Sequence, residues 1–89
     1  MLRIDDSRVA SLCVGRIVRL DPTNRSMIVR LSDGELLDMV IAPGCSVFLN
    51  GEAVRLRLLL VGDEVEIEKT EHGEDATALH IAVRTRPGR

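Results

Sequence analysis

The stretch LRLLLVGDEVEIEKTEHGEDATALHIAV, residues 56–83, decides the fold of this chain. Within it, Val65 and Ile67 alternate strictly with glutamates, and this alternation predicts a strand with one buried face and one wet face. A polar turn at 72–75 leads into a second apolar strand at 76–85, so the stretch predicts a β-hairpin. Three side chains of the second strand are expected to face the core, namely Leu79, Ile81 and Val83.

Apolar segments separated by turn signals also fill the chain before this hairpin. The turn signals are DPTN at 21–24, Asp33-Gly34, Pro43-Gly44 and Asn50-Gly51. The segments between them predict four short strands, at 12–20, 26–32, 35–42 and 45–50. Gly15 lies inside the first of these strands, where it indicates a bend in a barrel wall.

The segment RLRLLL at 55–60 connects these strands to the hairpin, and its leucines allow two interpretations. Leu56, Leu59 and Leu60 have helical spacing, which favours one helical turn covering an open barrel end, whereas a continuous apolar strand fits equally well. The order of elements predicts an all-β fold, a small five- to six-stranded OB-like barrel with one short helical turn before the last hairpin; an SH3-like barrel is the alternative. The expected organisation is an N-terminal arm at 1–11, the barrel at 12–84 and a disordered tail at 85–89.

The composition of the chain bounds its core and its partners. Apolar residues make up 45% of the 89 residues, as in other globular proteins, and the only aromatic residue is Phe48. The core must therefore be aliphatic. Because a small aliphatic core often gains stability from a second chain, we expect a homo-oligomer. The formal net charge is −2, but the acids cluster at 63–75 while residues 76–89 carry arginines and no acid. Such asymmetry favours either head-to-tail contact between copies or a solvated face.

Targeting features are missing from the sequence. The first residues, MLRIDDSRVAS, have no apolar core of signal-peptide length, and no apolar run is long enough to span a bilayer. Cys13 and Cys45 match no metal-binding or redox spacing. We therefore expect a cytoplasmic protein with two reduced, mostly buried thiols and no membrane partner.

Three segments together resemble a known family: VGRIVRLDPTNRSMIVRL, VFLNGEAVRLRLLLVGDEVEIE and ATALHIAV. They are similar to the small bacterial OB-like domains of unknown function. The signature of that family is a Gly-x-Val opening strand, an Asn-Gly or Asp-Gly turn, a Leu-x-Val-Gly-Asp step and an Ala-x-x-Ile-x-Val final strand. Here GRI at 15–17 stands in the opening position, LVGD at 60–63 in the step and ALHIAV at 78–83 at the end. The resemblance spans about 14–83 and implies a barrel. Members are often exported, and this chain shows no export signal.

The chain also resembles, more distantly, the periplasmic copper-chaperone barrels. That family binds Cu(I) with a histidine, two methionines and a tryptophan stacked on the metal. This chain has no tryptophan, and Met27 and Met39 lie on separate predicted strands. The copper site is therefore not carried over from the resemblance.

Residues suited to catalysis or metal binding are few. His72 lies in the acidic turn and His80 on the final strand, and no motif fixes their separation, so we predict neither a metal site nor a cofactor. Cys13 and Cys45 fall in predicted strands, where buried thiols are usually inert, and no nucleophile motif is present. We expect no enzymatic activity and name no catalytic residue.

Two sets of surface residues remain as candidate binding sites. The apolar set lies opposite the expected core positions and comprises Ile28, Leu36, Val40 and Phe48. The basic set offers phosphate contacts or contacts to a neighbouring copy and comprises Arg16, Arg19, Arg30, Arg55 and Arg57. We predict a non-enzymatic interaction or assembly module that acts through self-association or protein binding. The alternative is weak, sequence-nonspecific nucleic-acid binding through the arginines, and a metal carrier is the third possibility.

Overall fold

The computed structural model describes residues 10–72 and 75–86, and within these ranges the chain forms six strands and one short 3-10 turn. The strands are β1 (Ala10–Asp21), β2 (Ser26–Leu31), β3 (Leu36–Leu49), β4 (Glu52–Ala53), β5 (Glu64–His72) and β6 (Asp75–Thr85), and the 3-10 turn is Leu56–Leu58. Most of the predicted arm, 1–9, and the end of the predicted tail, 87–89, lie outside the described residues. Thr85 ends β6, so the barrel extends one residue beyond its predicted boundary.

Five of the strands close into a barrel. The strand order is β2-β1-β5-β6-β3-β4, and an additional pairing of β2 with β3 closes the ring. Strands β3 and β6 pair in parallel, while the other pairs are antiparallel. The predicted OB-like barrel is confirmed, with β4 as a two-residue addition at the edge of β3.

Aliphatic side chains and two methionines fill the barrel, as the near absence of aromatic residues requires. The buried apolar residues are Ile17, Met27, Val29, Met39, Ile41, Val47, Leu59, Val65, Ile67, Ala76, Ala78 and Ile81. Val65 and Ile67 both lie inside, so the alternation in β5 predicted its buried face correctly. The glutamates that alternate with them, Glu64, Glu66 and Glu68, lie on the outer face, where they are partly exposed.

The inner face of β6 differs from the prediction. Ala76 and Ala78 are buried, whereas Leu79 is only half-buried and Ile81 is buried again. The cause is a shift in the pairing with β5, because Glu68 pairs with His80 and the next residue, Lys69, pairs with Ala78. Leu79 is left without a partner, and such a bulge reverses which side chains face inward.

A single bent strand replaces the two strands predicted at 35–42 and 45–50. Strand β3 continues through Pro43 and Gly44, where its pairing with β6 is interrupted between Ile41 and Ser46. Proline is tolerated there because the interrupted ladder needs no N–H at that position. Arg25 covers the bend, since its Nε donates to the carbonyl of Ile41 at 3.2 Å and its Nη2 to that of Ala42 at 2.7 Å.

The predicted hairpin turns are present, although one has a different length. Asn50 and Gly51 both have positive φ, 56° and 82°, as a two-residue hairpin turn of mirror-image type requires. At the other hairpin, the Leu31 N–H donates to the carbonyl of Glu35 at 2.8 Å, which makes the loop three residues long instead of two. Gly34 closes that loop with a φ of 90°, a conformation that glycine adopts without strain.

The leucine-rich connection forms the predicted helical turn and not a strand. The 3-10 turn Leu56–Leu58 is followed by Leu59, which is 2% exposed and packs into the core. This connection, residues 55–61, is called the lid segment below. No helix in the described part of the chain is long and apolar enough to cross a membrane.

Candidate functional site

The outer surface of the β2–β3 hairpin brings together residues of both predicted surface sets. The pairing register places Arg30 opposite Leu36, Ile28 opposite Asp38, and Ser26 opposite Val40. All six side chains lie on the outer side because the alternate positions, Met27, Val29 and Met39, are buried. The term hairpin face is used below for Ile28, Arg30, Leu36, Asp38 and Val40.

The hairpin face exposes aliphatic surface where polar residues would be expected. Leu36 and Val40 are each 55% exposed, and Ile28 between them is half-buried. Arg30 and Asp38 are exposed in the same patch. A contiguous group of exposed aliphatic side chains with charges at its margin is typical of a contact surface.

Phe48, the fourth residue of the predicted apolar set, lies elsewhere. It pairs with Ala82 of β6 and Ala53 of β4, beyond the bend in β3. Its ring packs against the imidazole of His80 with 5.2 Å between the ring centroids, and Phe48 is half-buried. The structure thus groups three of the four predicted apolar residues, and their role in binding stays a prediction.

The five predicted arginines separate into two groups. Arg16 and Arg30 are direct partners across β1 and β2, beside an open groove of about 360 Å³ that also contains Ser32 and Glu64. Arg19 belongs to the same group, because it lies farther along β1 and pairs with Ile28 of β2. The remaining two, Arg55 and Arg57, are exposed on the lid segment. Phosphate contact by these residues stays a prediction.

A buried ion pair, which the sequence reasoning missed, holds the lid segment. Asp63 is fully buried, and Arg86 donates to its two carboxylate oxygens at 2.8 Å and 2.9 Å. The Leu60 N–H donates to Asp63 Oδ2 at 2.9 Å, and Arg86 Nη2 also donates to the carbonyl of Leu58 at 2.9 Å. Arg86 belongs to the predicted disordered tail, yet here it joins the end of β6 to the lid. The available signal in the sequence was Asp63 directly after Gly62, just before the β5 strand.

The ionisation of Asp63 follows from this geometry. Burial acts to raise the pKa of Asp63, but the hydrogen bonds from Arg86 and Leu60 and the charge of Arg86 outweigh it, so the pKa lies below its usual value. The same contacts raise the pKa of Arg86. The pair therefore stays charged at neutral pH.

Both cysteines lie in the barrel wall as free, half-buried thiols. Burial raises the pKa of Cys13, which the positive charge of the nearby Lys69 opposes and Glu71 reinforces. Burial also raises the pKa of Cys45, against the charge of Arg25. A thiol with a raised pKa is a weak nucleophile, which agrees with the expectation of inert cysteines.

The barrel wall separates the two methionines from His80, the candidate metal ligands. Met27 and Met39 are direct partners across β2 and β3, and both are 1% exposed inside the barrel. His80 lies on the outer side of β6, against Phe48. Among the side chains that the structure describes, in 10–71 and 76–86, no three from His, Cys, Asp or Glu converge on a point that could hold a metal ion. The side chain of His72 lies outside the described part.

Solved structures of CusF share this barrel. Silver-bound CusF from Escherichia coli has a TM-score of 0.69 at 13% identity, over 89% of this chain and 96% of that chain. Apo-CusF from the same organism has a TM-score of 0.67 at 13% identity, over 96% of this chain and all of that chain. No family model and no curated protein gives a significant match. At such low identity the likeness shows the fold, and it confirms the resemblance to the copper-chaperone barrels at that level. The matched structures include silver-bound and copper-bound forms of CusF.

The cytoplasmic location expected from the sequence is contradicted by this comparison. The solved structures that share the barrel are of CusF, a periplasmic copper and silver chaperone, and this is the finding that stands against the expectation. The expectation depended on the composition of the first residues and on two unpaired cysteines. Neither feature by itself determines a compartment.

Proposed function

We propose that the protein is a non-enzymatic assembly module that pairs with a second copy of itself through the hairpin face. The observation that carries the proposal is the exposure of Leu36 and Val40, each 55%, on the outside of an otherwise closed barrel. Covering these side chains with a second apolar surface removes them from water, which is the main favourable term in association.

The arrangement of charge supports a partner of the same kind. Asp38 lies directly across from Ile28, and Arg30 lies two residues along β2 from it, so the hairpin face carries one negative and one positive group next to its apolar residues. In a two-fold dimer the same patch meets itself, and Arg30 of one copy then faces Asp38 of the other. The patch is therefore complementary to its own copy in both charge and hydrophobicity.

The contact proposed here is made by side chains, face to face. Strand β2 is paired on both edges, with β1 and with β3, so it offers no edge to which another strand could add. Strand β3 pairs with β6 only from Val40 onward, so its residues 36–39 are paired on one edge, with β2. A face-to-face contact is proposed because it covers the exposed aliphatic side chains of the hairpin face, which strand addition at the edge of β3 would leave in water.

A charge-exchange experiment tests the proposal. Analytical ultracentrifugation of the wild-type protein at two concentrations is expected to show a species of twice the 9.8 kDa chain mass. Arg30→Asp and Asp38→Arg should each weaken the dimer at least tenfold, since like charges then face each other. The double variant should restore it. Leu12→Ser, at an exposed position on β1, is the matched control. A monomer at every concentration, or a double variant no better than the single ones, would reject the proposal.

Soft-metal carriage is a second candidate, and one contact favours it. Met27 and Met39 are cross-strand partners, so two thioether groups face each other inside the barrel, and thioethers prefer Cu(I) over harder ions. The solved structures that share the fold include silver-bound CusF. Both methionines are buried, so loading requires local opening of the β2–β3 hairpin.

The metal candidate is tested with Ag(I). Silver titration monitored by calorimetry should give one site per chain in the wild-type protein and none in the Met27→Leu, Met39→Leu double variant. Leucine keeps the side-chain volume, so the fold should be preserved. Equal silver uptake by both proteins would exclude the methionine pair as the site.

A further inference from the structure

The lid segment presents a second apolar surface, at the end of the barrel. Leu58, Leu60 and Val61 are 50%, 51% and 63% exposed, whereas Leu59 between them is buried. The segment is thus anchored by Leu59 and by the partly buried Leu56, and it exposes its other three large aliphatic side chains to solvent. These three residues are called the lid tip below.

Positive charge surrounds the lid tip. Arg55 and Arg57 belong to the same segment and are exposed. Two further arginines are fixed against it by hydrogen bonds, because Arg86 donates to the carbonyl of Leu58 at 2.9 Å and Arg16 to that of Gly62 at 2.8 Å. These four arginines form a collar of guanidinium groups beside the lid tip. Because Arg86 is paired with Asp63 and Arg16 lies opposite Glu64, the net positive charge of the collar comes from Arg55 and Arg57.

The acidic residue within the lid turn does not oppose this collar. Asp63 is fully buried and its charge is compensated by Arg86. Further acids lie along the outer face of β5, where Glu64 pairs with Arg16 of β1 and Glu66 and Glu68 follow farther from the lid. Glu71, on the other face of the strand, is paired with Lys69. A negatively charged surface attracts the basic end of such a barrel and repels its acidic wall, so the lid end turns toward the surface.

We propose that the lid end docks on an anionic lipid surface, with Leu58, Leu60 and Val61 entering the headgroup region and the arginines contacting lipid phosphates. Aliphatic side chains beside basic residues are the combination that holds proteins at such interfaces. The sequence expectation of no membrane partner came from the lack of a spanning segment, and surface docking needs none.

The size and chemistry of the tip favour lipid over other anionic partners. A stable protein interface buries roughly 800 Å² on each partner, which a projecting loop of a few residues does not offer. Single-stranded nucleic acid is usually held by aromatic stacking, and the only aromatic residue, Phe48, packs against His80 on the barrel wall. A lipid surface requires only that a few aliphatic side chains leave water.

Vesicle co-sedimentation tests the proposal. The whole chain is mixed with vesicles of phosphatidylglycerol and phosphatidylcholine, or of phosphatidylcholine alone, at low and at moderate salt. Binding to the anionic vesicles is expected, with partition falling roughly fivefold for each arginine removed in Arg55→Gln and Arg57→Gln. The Leu58→Ser, Leu60→Ser, Val61→Ser variant should lose at least tenfold, while Leu12→Ser, equally exposed on β1, should bind as the wild type does.

Each other outcome overturns the proposal. These outcomes are no binding to anionic vesicles at low salt, equal binding of the triple serine variant, and binding to polyglutamate or single-stranded DNA without binding to vesicles. Circular dichroism melting of every variant establishes that the fold is retained. Because all the substituted positions are exposed, loss of binding then reports on the surface and not on stability.

Discussion

Asp63 shows how one residue joins three parts of the barrel. Its side chain accepts hydrogen bonds from Arg86 at the end of β6 and from the Leu60 N–H in the lid segment. Its backbone carbonyl accepts the N–H of Ile17 in β1 at 2.9 Å. A buried carboxylate is tolerated only when it is paired and fully hydrogen-bonded, and here both conditions hold.

Replacing the charge of Asp63 should lower stability. The Asp63→Asn variant keeps the shape but loses the charge-assisted bonds to Arg86, and we expect the free energy of unfolding to fall by about 2 kcal/mol. For a domain of this size that corresponds to a melting temperature about 10 °C lower. Scanning calorimetry measures the melting temperature of each variant, and Glu52→Gln in the exposed β4 is the control. A shift no larger than that of the control would contradict the prediction.

The stability that Asp63 contributes should also depend on pH. Its pKa is depressed in the folded state, so the contribution is fully present above the unfolded pKa of about 4 and is lost as the pH falls through the lower folded value. We therefore expect the stability gap between wild type and Asp63→Asn to shrink between pH 6 and pH 3. Urea unfolding at several pH values measures the gap, and a constant gap would be evidence against this linkage.

At the scale of elements, β1 is the strand that makes closure possible. Its residues 10–16 pair with β5, and its residues 15–21 pair with β2. Gly15 lies where the two ladders meet, because it pairs with both Leu31 and Val65. A side chain there would approach the carbonyl of Arg30 to 3.0 Å. The internal glycine therefore allows the close approach of β2 that the barrel wall requires.

A methyl group at Gly15 should destabilise the barrel. The Cβ of Gly15→Ala would also lie 3.3 Å from a methyl carbon of Leu31, and we expect a loss of about 1–3 kcal/mol from this crowding. Gly44→Ala is the matched control, since no other atom lies within 4 Å of the added Cβ. Its effect should stay within about 0.5 kcal/mol. Chemical unfolding compares the two variants, and equal losses would show that crowding is not the cause.

At the scale of the whole molecule, two surfaces expose large aliphatic side chains that the folded core does not require. The hairpin face and the lid tip both expose large aliphatic side chains, although the chain has a complete core without them. A small barrel has a thin margin of stability, so covering either surface adds to it appreciably. Association should therefore be visible in the melting temperature itself.

The melting temperature should rise with protein concentration if the hairpin face pairs two copies. Dimerisation binds only the folded chain, so mass action stabilises it as the concentration increases. The Leu36→Thr, Val40→Thr variant places β-branched threonines, which suit a strand, at both positions and should melt at one temperature at every concentration. Scanning calorimetry over a hundredfold concentration range measures this, and a wild-type temperature independent of concentration would exclude a dimer coupled to folding.

How much could be predicted from sequence is clearest at particular residues. Local patterns were sufficient for the β5 strand and the Asn50-Gly51 turn, because each depends on neighbours along the chain. For the lid segment they allowed both a helical turn and a strand, and the structure decided for the turn. Leu79 was assigned to the wrong face, because a bulge depends on the register with β5 and not on β6 alone. Arg86 was assigned to a tail, because its partner lies 23 residues away.

By itself, the sequence determined that this chain is a small aliphatic barrel, since alternation, turn residues and the lack of aromatics restrict the local conformations and the core. Only the tertiary structure decided which residues meet. It placed Met27 opposite Met39 and brought Ile28, Leu36 and Val40 together beside Arg30 and Asp38. It also paired Arg86 with Asp63. The physical reason is that pairing register and burial are properties of contacts between distant segments, and no local preference encodes them.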